Sequence, residues 1–286
     1  MRWALAGIAG LVPVAAQAGG WTQAPEAVYA RVVNRIIAGE RGYDRHGDGQ
    51  DTGGRFTDWQ LQLYGEYGLT EALTLVAFAT PAGHATFEDG QRASEPGRIA
   101  GSTFYLGPIG LGARYGKPVG PLRLAVEGRY GYAPPVGEEA VGTGRFVCDA
   151  APCERFTYAP GFSHHRFDGE VQAGLGLPAG LWISVAGGMQ AFAGADLDPA
   201  VTGLAQLGWA GPWGLVVEMH FTLHHPLGTL TENQISGTGA TRYVGNGLGL
   251  SWWFSPHIAL TGGIDGAFLA ESNAAAASTT IGVELK

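Results

Sequence analysis

Asp58-Trp59-Gln60-Leu61-Gln62-Leu63-Tyr64-Gly65-Glu66-Tyr67 is the stretch that decides the fold. Trp59, Leu61, Leu63 and Tyr67 fall on one phase, and Asp58, Gln60, Gln62, Tyr64 and Glu66 on the other. A period of two marks a β-strand, whose successive side chains point to opposite faces. The pattern recurs in Leu122, Leu124, Val126, Tyr130 and Tyr132 against Arg123, Glu127 and Arg129. It returns in Leu215, Val217, Met219, Phe221 and Leu223 against Glu218, His220, Thr222 and His224.

Extending the search outward gives strands near 26–38, 55–69, 72–82, 102–116, 121–134, 166–177, 180–193, 200–210, 213–225, 241–254, 257–270 and 277–286. The count is even, as in closed bacterial barrels. Short connections, such as Leu69-Thr70-Glu71-Ala72 and Ser255-Pro256-His257, alternate with longer ones near 39–54, 83–101, 135–165, 226–240 and 271–276, apart from a brief one near 194–199. Outer-membrane barrels have short periplasmic turns and longer extracellular loops, which places both chain ends in the periplasm. Tyr67, Tyr115, Trp182, Trp209, Trp213, Trp252 and Phe254 lie close to the short turns, as one interfacial girdle would. A soluble sandwich shows the same alternation, but it needs a second sheet over its apolar face and explains neither the loop asymmetry nor the girdle. The expected fold is all-β: a transmembrane antiparallel up-and-down barrel of about twelve strands.

Composition agrees, with 48 glycines and 10% aromatic but only 15% charged residues in 286. Several glycines, among them Gly110, Gly112, Gly245, Gly247, Gly249 and Gly263, fall on the polar phase, where they relieve crowding and let a sheet curl. A formal charge of -8 argues against a nucleic-acid partner. Met1-Arg2, the apolar run to Ala15 and Ala16-Gln17-Ala18 read as a signal peptide over 1–18, leaving 19–286 as one barrel domain in the Gram-negative outer membrane. Cys148 and Cys153, the only cysteines, are expected to pair as a disulfide in an exported loop.

Trp21-Thr22-Gln23-Ala24-Pro25-Glu26 with Tyr29, and above all Leu63-Tyr64-Gly65-Glu66-Tyr67-Gly68-Leu69-Thr70 with Leu73-Thr74-Leu75, resemble outer-membrane proteins of the MetA pathway of phenol degradation, relatives of FadL-like and aromatic-hydrocarbon transporters. The motif covers the first quarter of the mature chain, and the hairpin rhythm most of the rest. The resemblance implies a passive channel or carrier for small solutes, hydrophobic or aromatic ones included. It supplies no catalytic residues and no cofactor. The lead from Gly19 to Pro25 is too short for the N-terminal hatch of a FadL protein.

The inward phase gathers Arg31, Arg35, Asp58, Glu66, Arg114, Arg123, Glu127, Arg129, Asp168, Glu170, Glu218, His220, Asp265 and Glu284 as candidate pore-lining residues. They fit either a polar pore or a rigid ion-pair filling, since twelve strands lie between the filled eight-stranded barrels and the open sixteen-stranded porins. Closure should bring Glu284 beside Arg31, with Arg35 farther up the wall. Asp44, Asp48 and Asp51 are weak calcium candidates, because position three of that loop is His46 and position twelve Arg55, where an EF-hand needs oxygen ligands. His164, His165, His220, His224 and His225 offer a weaker transition-metal alternative. The expected partners are outer-membrane lipid and a small-molecule solute. Two other classes stay open: a structural or surface-interaction barrel, and a lipid-modifying enzyme built on His220 with Thr222 or on Ser163-His164.

Overall fold

The structure is a computed structural model that describes residues 21–89, 99–137, 140–147, 153–195, 197–230, 232–235 and 241–286. Its strands are β1 (Val28–Tyr43), β2 (Gly49–Gly68), β3 (Leu73–Asp89), β4 (Ile99–Tyr105), β5 (Ile109–Val119), β6 (Leu122–Ala133), β7 (Gly142–Arg145), β8 (Arg155–Tyr158), β9 (His164–Gly176), β10 (Leu181–Ala193), β11 (Ala200–Ala210), β12 (Leu215–Pro226), β13 (Arg242–Trp253), β14 (Ile258–Glu271), β15 (Asn273–Ala274) and β16 (Ser278–Leu285). β4 and β5 pair with the upper and lower parts of β3 and act as one interrupted strand, broken at Leu106-Gly107-Pro108. β7 and β8 form a hairpin that extends from β4. The two-residue β15 pairs with the top of β1 (Gly42↔Ala274, Tyr43↔Asn273) and extends the line of β16, and the remaining strands run antiparallel to their neighbours around a closed cylinder of twelve.

Closure is made by β16 lying antiparallel to β1 from Ala30↔Leu285 to Ile37↔Ser278. In that register Arg31 stands opposite Glu284, and Arg35 is four residues up the wall opposite Thr280, as the alternation requires. This seam is shorter than the β1–β2 pairing, which runs from Val28↔Tyr67 to Tyr43↔Gly49.

The outside is apolar. Val28, Val32 and Ile36 of β1 point outward, as do Leu111 of β5, Val171 of β9 and Ile281 of β16. Charged and polar side chains point in, and this reversal of a soluble barrel marks a membrane-spanning cylinder. One polar side chain on the outer face, Asn34, is satisfied there, because the Trp59 indole N–H donates to its carbonyl oxygen at 3.2 Å. Leu111 stands four residues above girdle residue Tyr115 and is 69% exposed. Arginine there is expected to cost about 2–4 kcal/mol, against about 0–1 for the same change at Leu69 beside the periplasmic turn. Urea unfolding of both variants in lipid vesicles checks this; equal losses would place Leu111 outside the apolar belt.

Tyr67, Tyr115, Trp209, Trp213, Trp252 and Phe254 are exposed on the outer face near the short turns. Trp182 is the exception to the expected girdle. It sits on the even phase of β10 with Ser184 and is buried inside the cylinder. The space is made by Gly208, where a Cβ would overlap the Trp182 ring. The residues just before β1, the C-terminus and the short turns share one end of the barrel.

Two regions expected as loops, 39–54 and the described residues of 83–101, are mostly strand. β1, β2 and β3 continue well past their predicted ends, turn tightly over Asp44 to Asp48, and keep Phe56 and Phe87 on the inner face. The signal peptide over 1–18 lies outside the described residues. So does Cys148, and with it the expected Cys148–Cys153 pairing.

Candidate functional site

The floor of the lumen is built by the residues that precede β1. The Trp21 ring meets the inward Trp182 edge-on at 6.3 Å, and the Trp21 carbonyl accepts a 2.9 Å hydrogen bond from Arg114 Nη1. The Gln23 backbone N–H donates to Thr74 Oγ1 at 2.8 Å, and its side-chain amide donates to Glu66. Gly68 permits this approach, since a Cβ there would overlap the Ala24 carbonyl. The described residues ahead of β1 thus dock inside the barrel mouth.

Strand register then stacks the charges above it. Arg114, Glu127 and Glu170 occupy one row across β5, β6 and β9, while Arg129 and Asp168 occupy the next row up. Cross-strand neighbours on one face stand about 5 Å apart, so these side chains meet. Arg114 lies 2.9 Å from Glu66 and 2.6 Å from Glu127, with all three buried. Arg129 reaches Glu127 and Glu170 at 3.2 Å each and Asp168 at 3.6 Å, and Arg166 holds Asp168 at 2.9 Å. Tyr64, which accepts from Arg114 and donates to Glu66, and Gln172, which donates to Glu127 and Glu170, complete the network. Their polar ends on the inward phase were the available signal for both.

The opposite wall carries a looser set. His220 Nε2 lies 2.6 Å from Asp265 Oδ1, and Ser251 donates to Glu284 at 3.0 Å. Arg31 approaches Glu284 only to 4.0 Å. The glycines here supply room: a Cβ on Gly247 would overlap His220 Nε2, and one on Gly249 would meet the Glu218 side chain at 2.8 Å.

Between the walls lies a chamber of about 820 Å³ lined by Arg31, Arg35, Arg114, Glu127, Arg129, Glu170, Glu218, His220 and Asp265. A second cavity of about 350 Å³ adjoins it, sharing Arg129, Arg166, Glu170 and Tyr243 and adding Asp168. Of the other candidates, Asp58 is buried higher up, accepting from Tyr105 and Gln60, and Glu66 and Glu284 are buried within the wall contacts. Arg123 is exposed at the periplasmic end and borders neither cavity.

The extracellular end carries an apolar cap. The β7–β8 hairpin brings Phe146, Phe156 and Tyr158 against Ile37, Phe56, Phe87, Tyr105 and Ile235. Phe156 stands 5.1 Å from Phe146 and 5.7 Å from Phe87. Polar contacts tie the rim: Arg45 pairs with Glu154 at 2.8 Å, and Asn233 accepts from the Arg45 N–H while donating to Glu154 and the Arg155 carbonyl.

The Asp44 carboxylate accepts from the His46 and Asp48 N–H groups and from Gln50, which is turn chemistry. Among the described residues no three His, Cys, Asp or Glu side chains converge as a metal site. His164 and His165 point to opposite faces: His164 stacks on Phe162 at 4.4 Å inside, and His165 on Tyr132 at 4.8 Å outside. His220 is engaged by Asp265, with Glu218 4.0 Å from its other ring nitrogen, and Ser163 donates to the Ala133 carbonyl.

No protein-family model matches the chain, and no curated protein is similar to it in sequence. Among solved structures it is similar to the COG4313 outer membrane channel from Pseudomonas putida F1, at 12% identity and a TM-score of 0.62 over 93% of this chain and 97% of that one. It is also similar to the NanC porin, at 9% identity and a TM-score of 0.50 over 89% and 99%. Together with the closed cylinder and its apolar exterior, this likeness makes the fold that of an outer-membrane β-barrel.

Proposed function

We propose that this barrel is a passive outer-membrane channel for small molecules, with the inward charged residues setting its selectivity. The observation that carries the reading is the chamber of about 820 Å³. A barrel serving only as a scaffold gains from filling its interior, because atoms that line a void forgo the dispersion attraction of packed neighbours. Here glycines keep the interior open beside charged side chains instead. The aqueous lining suits solutes that shed little hydration, while Phe78 and Tyr243 offer apolar surface to the rest of a solute.

Planar-bilayer recording tests the reading. Steady conductance is expected. Arg129→Gln removes the cation shared by Glu127, Asp168 and Glu170, so the reversal potential in a salt gradient should move toward cation preference. Glu127→Gln leaves Arg114 and Arg129 with one carboxylate fewer and should move it the other way. A silent bilayer would favour a surface-interaction barrel, for which the tied extracellular cap is the supporting feature. Hydrolysis of lipid in the same preparation would favour an enzyme.

A further inference from the structure

We infer that the chamber holds a binding site for a small organic anion, an apolar body bearing one carboxylate, with Arg35 and Arg31 of β1 as its anchors. The site rests on the channel reading, from which it takes the access of solute to the chamber.

Most guanidinium groups around the chamber already have an anionic partner. Arg114, Arg129 and Arg166 each lie within 3.2 Å of a carboxylate oxygen. Arg35 borders the same chamber, yet among the described residues it makes no ion pair and no hydrogen bond. Arg31 comes no closer than 4.0 Å to Glu284, and its Nε is buried without a hydrogen-bond partner. A buried N–H left without an acceptor costs free energy that an incoming acceptor recovers.

Asp58, the acid that interacts with Arg35 electrostatically, forms no ion pair with it and gives its hydrogen-bonding capacity to other partners. Asp58 accepts from Tyr105 and Gln60, and Asp265 faces His220. Glu218 does share a row with Arg35, through Thr280, Gly263 and Gly249. That row is four strand spacings long, about 19 Å along the wall. Its middle is glycine, so the wall between cation and acid is open trough and not side chain.

A guanidinium presents its N–H groups as a planar fork that matches a carboxylate. The apolar part of such a ligand has Phe78 and Tyr243 to rest on, and a chamber of about 820 Å³ is of ordinary size for a small-molecule site.

Calorimetric titration of the folded barrel in detergent micelles with sodium benzoate, and with benzamide as the uncharged isostere, is the test. Saturable benzoate binding is expected, at least tenfold tighter than benzamide. Arg35→Gln should weaken it tenfold or more, Arg31→Gln less, and Arg123→Gln at the rim not at all. Retained heat-dependent gel migration shows that each variant is folded. Equal affinity for benzoate and benzamide, unchanged binding in folded Arg35→Gln, or full displacement by equimolar chloride would each overturn the site. Conductance without benzoate binding discards the site and keeps the channel, whereas benzoate binding by a barrel silent in bilayers keeps the site and discards the channel.

Discussion

Replacing Arg114 by leucine is expected to destabilise the barrel by about 3–5 kcal/mol, the usual cost of removing one partner from a buried ion pair. The guanidinium stands 2.6 Å from Glu127 and 2.9 Å from Glu66, and all three side chains are buried. Without it, Glu66 has no cationic partner among the described residues and Glu127 keeps only Arg129, so the two buried carboxylates repel each other with little compensation. The substitution also removes the donor to the Trp21 carbonyl, so the residues before β1 should undock. Urea titration in vesicles, followed by tryptophan fluorescence, measures both effects, since Trp21 packs on Trp182. Adding Glu66→Gln and Glu127→Gln should restore more than half of the loss, because the cost lies in the orphaned charges and not in the missing side chain. A midpoint for Arg114→Leu equal to that of the unaltered protein would remove the network from any account of stability.

Phe156→Ala should cost the extracellular cap about 3–5 kcal/mol, the range for emptying a large buried aromatic site. Phe156 is 2% exposed and packs between Phe87 and Phe146. Among the described residues the hairpin that carries it pairs with β4 only at Ile99↔Thr143 and Ala100↔Gly142, so the loss falls on the cap while the cylinder keeps its ladders. The expected result is higher single-channel conductance and faster protease cleavage between β6 and β9, with an unchanged urea midpoint for the barrel. Tyr158→Phe, which gives up one hydrogen bond to the Thr57 carbonyl, should lose only about 1 kcal/mol. An alanine variant that conducts like the parent would mean that the cap does not limit passage.

The transmembrane part of the fold was legible because lipid outside and polar residues inside impose a period of two, and Asp58 to Tyr67 displays it without interruption. The same rule set Glu284 opposite Arg31, but it did not foresee that Arg123 ends exposed at the rim, bordering neither cavity. It failed where the surroundings change. Trp182 looked like an interfacial anchor because it adjoins a short turn, but one step of phase sends it inward onto Gly208. The upper parts of β2 and β3 leave the membrane, so their outer faces need not be apolar and Thr52 to Thr57 carries no alternating oily stripe. The cap was illegible for a different reason: Phe146 and Phe156 meet Phe87 and Ile235 through contacts that no local pattern encodes. Docking of Trp21 and Gln23 likewise depends on Gly68 and Arg114, far away in sequence.

The seam between β1 and β16 has a consequence for how the protein is assembled. Eight residue pairs with β16, from Ala30 to Ile37, and two with β15, at Gly42 and Tyr43, close the cylinder, against fifteen between β1 and β2. The ladder from β1 through β14 follows chain order, whereas the seam must join the two ends of the chain and forms last. A half-inserted intermediate would therefore present β1 as a free edge, with its upper half extending beyond the reach of β16. That edge can template a strand from another chain, so crowding during insertion, more than heat applied to the finished barrel, is the condition under which this protein would misassemble.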